Sequence, residues 1–313
     1  GLGIPAEPLF RSRDNCILTA GIRMAKIKDI LLMAVVALTL LCSCHSLSKV
    51  LKSSDRDYKL EVAKQYYAMG KYNDCYLLLD NVLPALRGTK AGDEALFMAG
   101  MCKFNTRDYD SAAELFKRYY GKSYRNGEHV DEARYYSACS YYESTYPVRL
   151  DQSATYEAIK EIQSAMESNP DSKYYASLQD MLFKMQDRLV EKEYLAAKLY
   201  YDLGDYFLNC LMGGSNYEAC VVTAQNAIND YPYSVRKEDF AILILRAKYH
   251  LAESSVESKK YERYNDTVDE YYGFVNEYPQ SKFLKEAKSI FDKSEKELNS
   301  KRLKQYATEE DDV

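Results

Sequence analysis

The chain has 313 residues, 47% hydrophobic and 28% charged, which is ordinary globular composition with enough apolar material for a core. The net charge of −5 argues against a nucleic-acid partner, which calls for a basic face. Only 13 Gly and 7 Pro argue against an all-β or loop-rich fold, and 31 Tyr with no Trp suit helix seams where a ring packs and its hydroxyl stays wet.

Residues 1–23 lack helical periodicity and read as upstream, non-native extension, with Met24 as the expected start. From Met24 follow a short basic stretch with Lys26 and Lys28, then an apolar run from Ile30 to Leu41. A bilayer-spanning helix needs ~20 apolar residues, so this shorter run predicts a cleaved signal over residues 24–43. The run ends Leu41-Cys42-Ser43-Cys44. That resembles the bacterial lipobox, with Leu at −3 and a small residue at −1. Cys44 fits better than Cys42, which would place Thr39 at −3. The resemblance implies a covalent lipid on Cys44, the palmitate-bearing anchor of a lipoprotein, and no other cofactor. With no Asp after Cys44, it further implies the periplasmic face of the outer membrane. Residues 44–57 read as a lipidated polar tether.

Five Cys remain beyond Cys44: Cys75, Cys102, Cys139, Cys210 and Cys220. Their odd number and lack of CxxC spacing argue against a disulfide framework or a zinc site. A Cys210–Cys220 bridge stays open in an oxidising compartment.

Self-similarity then dominates residues 58–298. Ala63, Tyr66, Gly70, Tyr72, Cys75, Leu79 and Val82 fill the small, aromatic and turn slots of the 34-residue TPR pattern. A second unit has Gly100, Tyr109, Ala112, Phe116 and Tyr119, with Lys103 where the first helix wants an aromatic. Asp108 reads as the start of its second helix. The third unit has Ala138 and Tyr141, a turn lengthened by residues 146–151, then Ala158, Ile162 and Ala165. The fourth has Ala197, Tyr200, Gly204 and Tyr206, an insertion from Leu208 to Asn216, then Tyr217, Cys220, Ala224 and Ala227. The fifth comprises a helix near Phe240 to Ser254, a charged turn with Lys259 and Lys260, then Tyr264, Thr267, Tyr271 and Phe274. Units three to five close on Pro170-Asp-Ser172, Pro232-Tyr-Ser234 and Pro279-Gln-Ser281. A last amphipathic helix near Lys282 to Leu298 caps the stack, and residues 299–313 read as a disordered acidic tail. The predicted fold is an all-α, TPR-like solenoid of about five helix pairs plus a C-terminal capping helix. One pair cannot bury its apolar stripe alone, whereas stacked pairs share it.

The order of lipobox, five loose units and Pro-x-Ser helix ends resembles the BamD lipoproteins of the outer-membrane β-barrel assembly machinery, over roughly residues 40–298. The segment from Arg188 to Tyr201, with Gly204 closing its helix, looks like the start of that family's fourth repeat, and Pro147 to Ala158 is similar to its third-repeat insertion. The resemblance implies a non-catalytic scaffold whose partners are the barrel-forming subunit, BamA-like, and unfolded outer-membrane protein segments, with accessory lipoproteins as further candidates. The N-terminal repeats would receive the unfolded segment. Counting from the TPR slots, their peptide groove would comprise Leu60, Lys64, Tyr67, Phe97, Met101, Phe104, Tyr135 and Tyr142; packing between repeats accounts for those rings equally well. Arg188, Lys198, Arg236, Asp239 and Arg246 are the docking candidates in the C-terminal half.

An enzyme is not expected. His45, His129 and His250 stand apart, and no Walker loop, GxGxxG or G-x-S-x-G occurs. A generic periplasmic TPR adaptor for envelope maintenance remains a rival reading. So does a glycan-binding outer-membrane lipoprotein, against which the absence of Trp counts.

Overall fold

The computed structural model describes residues 47–206 and 215–300. Twelve α-helices follow in chain order: α1 (Leu47–Lys52), α2 (Arg56–Ala68), α3 (Tyr72–Val82), α4 (Lys90–Asn105), α5 (Tyr109–Arg118), α6 (Val130–Glu143), α7 (Ser153–Ser168), α8 (Tyr175–Leu203), α9 (Asn216–Asp230), α10 (Lys237–Glu253), α11 (Glu257–Glu277) and α12 (Leu284–Leu298). A π-helical turn, Tyr119–Ser123, continues α5. No strand occurs among the described residues. The chain divides into two compact units at the Thr106–Arg107 step.

Helix starts follow from local chemistry. Asp55 accepts from the Tyr58 N–H at 3.0 Å, Thr89 from Gly92 at 3.0 Å, and Asp108 from Ser111 at 3.4 Å. Each side-chain oxygen satisfies an N–H that the first turn leaves without a partner. Past α2, Gly70 takes φ +73°, a left-handed value that costs glycine little.

The Pro-x-Ser ends have a shared construction. The hydroxyls of Ser172, Ser234 and Ser281 each accept from the N–H two residues on, at 3.0, 3.1 and 2.9 Å. Ser172 and Ser281 also donate back to an acid in the first turn of the same unit's opening helix, Asp131 on α6 and Glu238 on α10. The turn after one helix pair is thereby tied to the pair's beginning.

In the first unit, α2 packs on α3, α3 on α4, and α2 touches α4. Ala63, Tyr66, Cys75, Leu79 and Val82 are all buried there, as the repeat pattern requires. Lys103, which departs from that pattern, lies with its ammonium 4.3 Å from the centre of the Tyr76 ring, so the aromatic slot is filled by a cation on a neighbouring ring. Cys75 and Cys102 are fully buried, and a hydrogen bond between the two thiols, together with burial, raises the Cys102 pKa.

In the second unit successive helices pack from α5 to α12, and α6–α8, α8–α10 and α10–α12 also touch. Alternate helices therefore form a row, the arrangement of a TPR-like all-α solenoid. In chain order the elements give five pairs, α2–α3 to α10–α11, followed by α12.

Several expectations need correction. Part of the stretch read as a tether is the helix α1, whose Val50 is only 1% exposed. Lys259 and Lys260 sit in the first turn of α11, paired with Glu262 at 3.7 Å and Glu257 at 3.1 Å, rather than in a turn. The helix α8 begins at Tyr175, well before Arg188, because no Gly or Pro interrupts residues 173–203. Tyr200 and Tyr206 are exposed, and the rings packed at that seam are Tyr201 and Tyr217. Residues 208–214 of the insertion with Cys210, the lipobox with Cys44, and the tail from 301 onward lie outside the described residues.

Candidate functional site

Each residue expected in the N-terminal groove has a definite place. Leu60 is 6% exposed and belongs to the core of the first unit, so it cannot line an open wall. The cause is register: Leu60 lies one residue past the buried Lys59 and three before the buried Ala63, on the stripe that α2 turns inward. Tyr67, Phe97, Met101 and Phe104 are half-buried, and Tyr67 meets Tyr72 edge-on with centroids 5.6 Å apart. Lys64 bonds Glu94 at 2.9 Å and lies 3.8 Å from Glu61. The hydrogen bond to Glu94 raises the Lys64 pKa, and this cation is already matched within the unit.

In the second unit Tyr135 stacks on Tyr174, centroids 4.2 Å apart and planes within 10°. Tyr135 and Tyr142 both pack on the cluster of Ala138, Ile162 and Met185. Their rings are chiefly packing between α6 and its neighbours. Beside them lies a charged network that the spacing did not reveal. The Glu161 carboxylate accepts from Tyr120 at 2.6 Å, Ser137 at 2.8 Å and Lys117 at 2.9 Å. Burial pushes its pKa up, but these three donors outweigh burial and leave it below the usual range.

The docking candidates mostly serve the fold. Arg188 donates to Thr145 and, at 3.3 Å, to the Tyr146 carbonyl, pinning the third-repeat insertion onto α8. Gln152 is buried and donates to the Pro147 and Leu150 carbonyls at 3.0 and 3.1 Å, holding that insertion together. Arg236 pairs with Glu191, lies 3.5 Å from Asp239 and stacks over Tyr194 at 4.6 Å. Asp239 is also 3.9 Å from Lys282. Arg246 grips Glu286 with two parallel bonds of 2.6 and 2.7 Å, joining α10 to α12. Arg246–Glu286 and Lys237–Glu277 each span 40 positions. Opposite charges at a fixed separation near the repeat length were the available signal for these seams.

Lys198, by contrast, stands at an open groove. Its floor is Leu195, Ala196 and Leu199 on α8, and its rim is Arg149, Lys192, Lys198 and Asp202. The cavity is about 490 Å³. Leu199 is 58% exposed. Lys198 pairs with Asp202 at 2.7 Å, and Lys192 reaches the Leu150 carbonyl at 3.2 Å, fixing the loop that forms the far rim. The missed residues are the second apolar stripe of α8. Leu195, Leu199 and Leu203 follow one another at i, i+4 spacing, on a helix whose core stripe holds Leu189, Val190 and Ala197. An apolar floor with a mainly cationic rim suits a protein segment that pairs apolar side chains with carboxylates.

Among the described residues no helix is long and apolar enough to cross a membrane. Comparison with curated proteins gives no match. A family model described as YfiO, outer membrane lipoprotein, which is the BamD family the sequence resembles, matches residues 27–209. That interval is more than half of the chain and takes in α1 to α8 and the α8 groove. The chain therefore belongs to the YfiO family of outer membrane lipoproteins.

Proposed function

We propose that this protein is a non-catalytic scaffold of the β-barrel assembly complex, lipid-anchored through Cys44 at the periplasmic face of the outer membrane. Its first unit would recognise segments of unfolded outer-membrane proteins through the half-buried rings of Tyr67, Phe97 and Phe104. Its second unit would dock on the barrel-forming, BamA-like subunit, with accessory lipoproteins as further partners. The family match carries the reading. Two structural features support it. Stacked helix pairs present extended side-chain rows suited to peptides, and the α8 groove leaves Leu199 exposed on the helix itself, with the exposed Arg149 on the loop that Lys192 holds against it.

The seams around Arg236 and Arg246 narrow the docking surface. Those charges lie in the seams between helices, so we propose that the contact with the barrel-forming subunit uses instead the open groove of Arg149, Lys192, Leu195, Lys198 and Leu199. Among the described residues its apolar floor has no partner helix, and its Lys198 is paired only with its own helix neighbour Asp202. The test is affinity purification of the tagged protein from detergent-solubilised envelope. Recovery of the barrel-forming subunit supports the proposal; its repeated absence, with the bait intact and lipidated, ends it.

A further inference from the structure

We infer that α1 and the start of α2 form a membrane-apposed face, seating the first unit directly on phospholipid headgroups; this rests on the lipid at Cys44 proposed above. The argument is one of chain length. Three peptide units separate Cys44 from Leu47, the first residue of α1, and fully extended they span at most ~11 Å. Val50 lies three residues further along the helix, adding ~4.5 Å. Val50 is 1% exposed, and α1 packs on both α2 and α3. The body of the first unit thus begins within about 15 Å of the acylated residue. A lipidated Cys sits at the edge of the hydrocarbon, under a headgroup layer of roughly 5–8 Å on each side. A helix with its side chains is ~10–12 Å across, so no further layer of protein fits between α1 and the headgroups.

The residues on α1 suit that contact. Lys49 and Lys52 are exposed, Leu47 and Leu51 are half-buried four residues apart, and α1 carries no acid. Arg56 is exposed at the first position of α2 between the exposed Asp55 and Asp57, so the net positive charge of this face comes from α1. Cations beside apolar side chains fit an anionic lipid surface. A longer, unstructured tether would let the unit drift; docking of Val50 removes that freedom and fixes which end of the first unit faces the bilayer.

The protein contains no Trp, so one introduced Trp reports one site. Lys52→Trp and Arg56→Trp forms, purified with their native lipid, are reconstituted into phosphatidylethanolamine–phosphatidylglycerol vesicles containing headgroup spin-labelled lipid. Both probes should lose fluorescence relative to unlabelled vesicles. Inserting about ten Gly and Ser residues after Ser46 gives a flexible reach of ~20 Å and should restore the Arg56→Trp signal while the protein still sediments with vesicles. Equal brightness of both probes in labelled and unlabelled vesicles, with the acylated protein sedimenting, overturns the inference and leaves the anchor standing. Protein that stays in the supernatant and shows no acyl mass on Cys44 overturns the anchor itself, and the seating falls with it.

Discussion

The side-chain amide of Asn216 donates to the main-chain carbonyl of Gly204 at 2.9 Å. Asn216 is buried, opens α9, and lies twelve positions beyond the glycine that ends α8. Gly204 has φ +49°, and a Cβ there would fall 2.6 Å from the Tyr217 hydroxyl oxygen. The two ends of the insertion are therefore locked together by backbone conformation, a close ring and one buried hydrogen bond.

That lock is sensitive to small changes. Gly204→Ala should destabilise by about 1–3 kcal/mol, because the added methyl strains the left-handed backbone and meets Tyr217. Asn216→Ala should cost a similar ~1–3 kcal/mol by leaving the Gly204 carbonyl without its donor. Urea midpoints measure both, and an unchanged midpoint in either variant would contradict the account.

Glu161 sets an acid limit. Its native pKa is held down, so the unfolded chain takes up a proton at higher pH than the native state does. The stabilisation is thus fully present above the unfolded value of roughly 4.3 and is lost as pH falls through the lower native value. Thermal midpoints should drop on acidification through that window. Glu161→Gln should flatten this arm and cost about 1–3 kcal/mol at neutral pH, since Lys117 and Tyr120 lose a charged acceptor. An unaltered acid arm in the variant would show that other carboxylates control it.

Arg246 and Glu286 should couple measurably but modestly. The bond is two-pronged, yet both side chains are partly wet, so a double-mutant cycle should give about 0.5–1 kcal/mol. The coupling should shrink in high salt. A coupling energy of zero at low salt would mean that α10 and α12 are held by apolar packing alone.

Leu60 and Phe97 should separate core from surface. Leu60→Ala should cost about 2–5 kcal/mol through a buried cavity. A photocrosslinking residue at Phe97 or Phe104 should capture unfolded barrel-protein segments in living cells. No capture at either site would remove the first unit from substrate recognition.

Leu199→Asp addresses the α8 groove. Leu199 is largely exposed, so stability should change by no more than about 0.5 kcal/mol. Recovery of the barrel-forming subunit should fall sharply. Full recovery with the variant would move the docking face elsewhere.

The repeat positions show what periodicity determines. Ala63, Cys75, Ala112, Phe116, Ala138, Ala158, Ile162, Ala197, Cys220 and Ala224 are buried as their slots require, because close helix approach admits only small or well-fitted side chains at fixed intervals. Helix pairs, Pro-x-Ser ends and the Asp108 cap are local events and are legible in the chain itself. The family is legible as well, through the order of these elements. Tertiary structure decided the rest. Whether Leu60 faces a groove or the core depends on how α2 rolls against α3 and α4, and single-helix spacing leaves that roll undetermined. Whether Arg236 and Arg246 are free to meet a partner depends on acids 45 positions upstream and 40 downstream, Glu191 and Glu286, which reach them only once the pairs stack. Residues 47–52 look like a polar tether until Val50 finds its place against the first unit, since six residues form a stable helix in water only when packing supplies what so short a helix lacks.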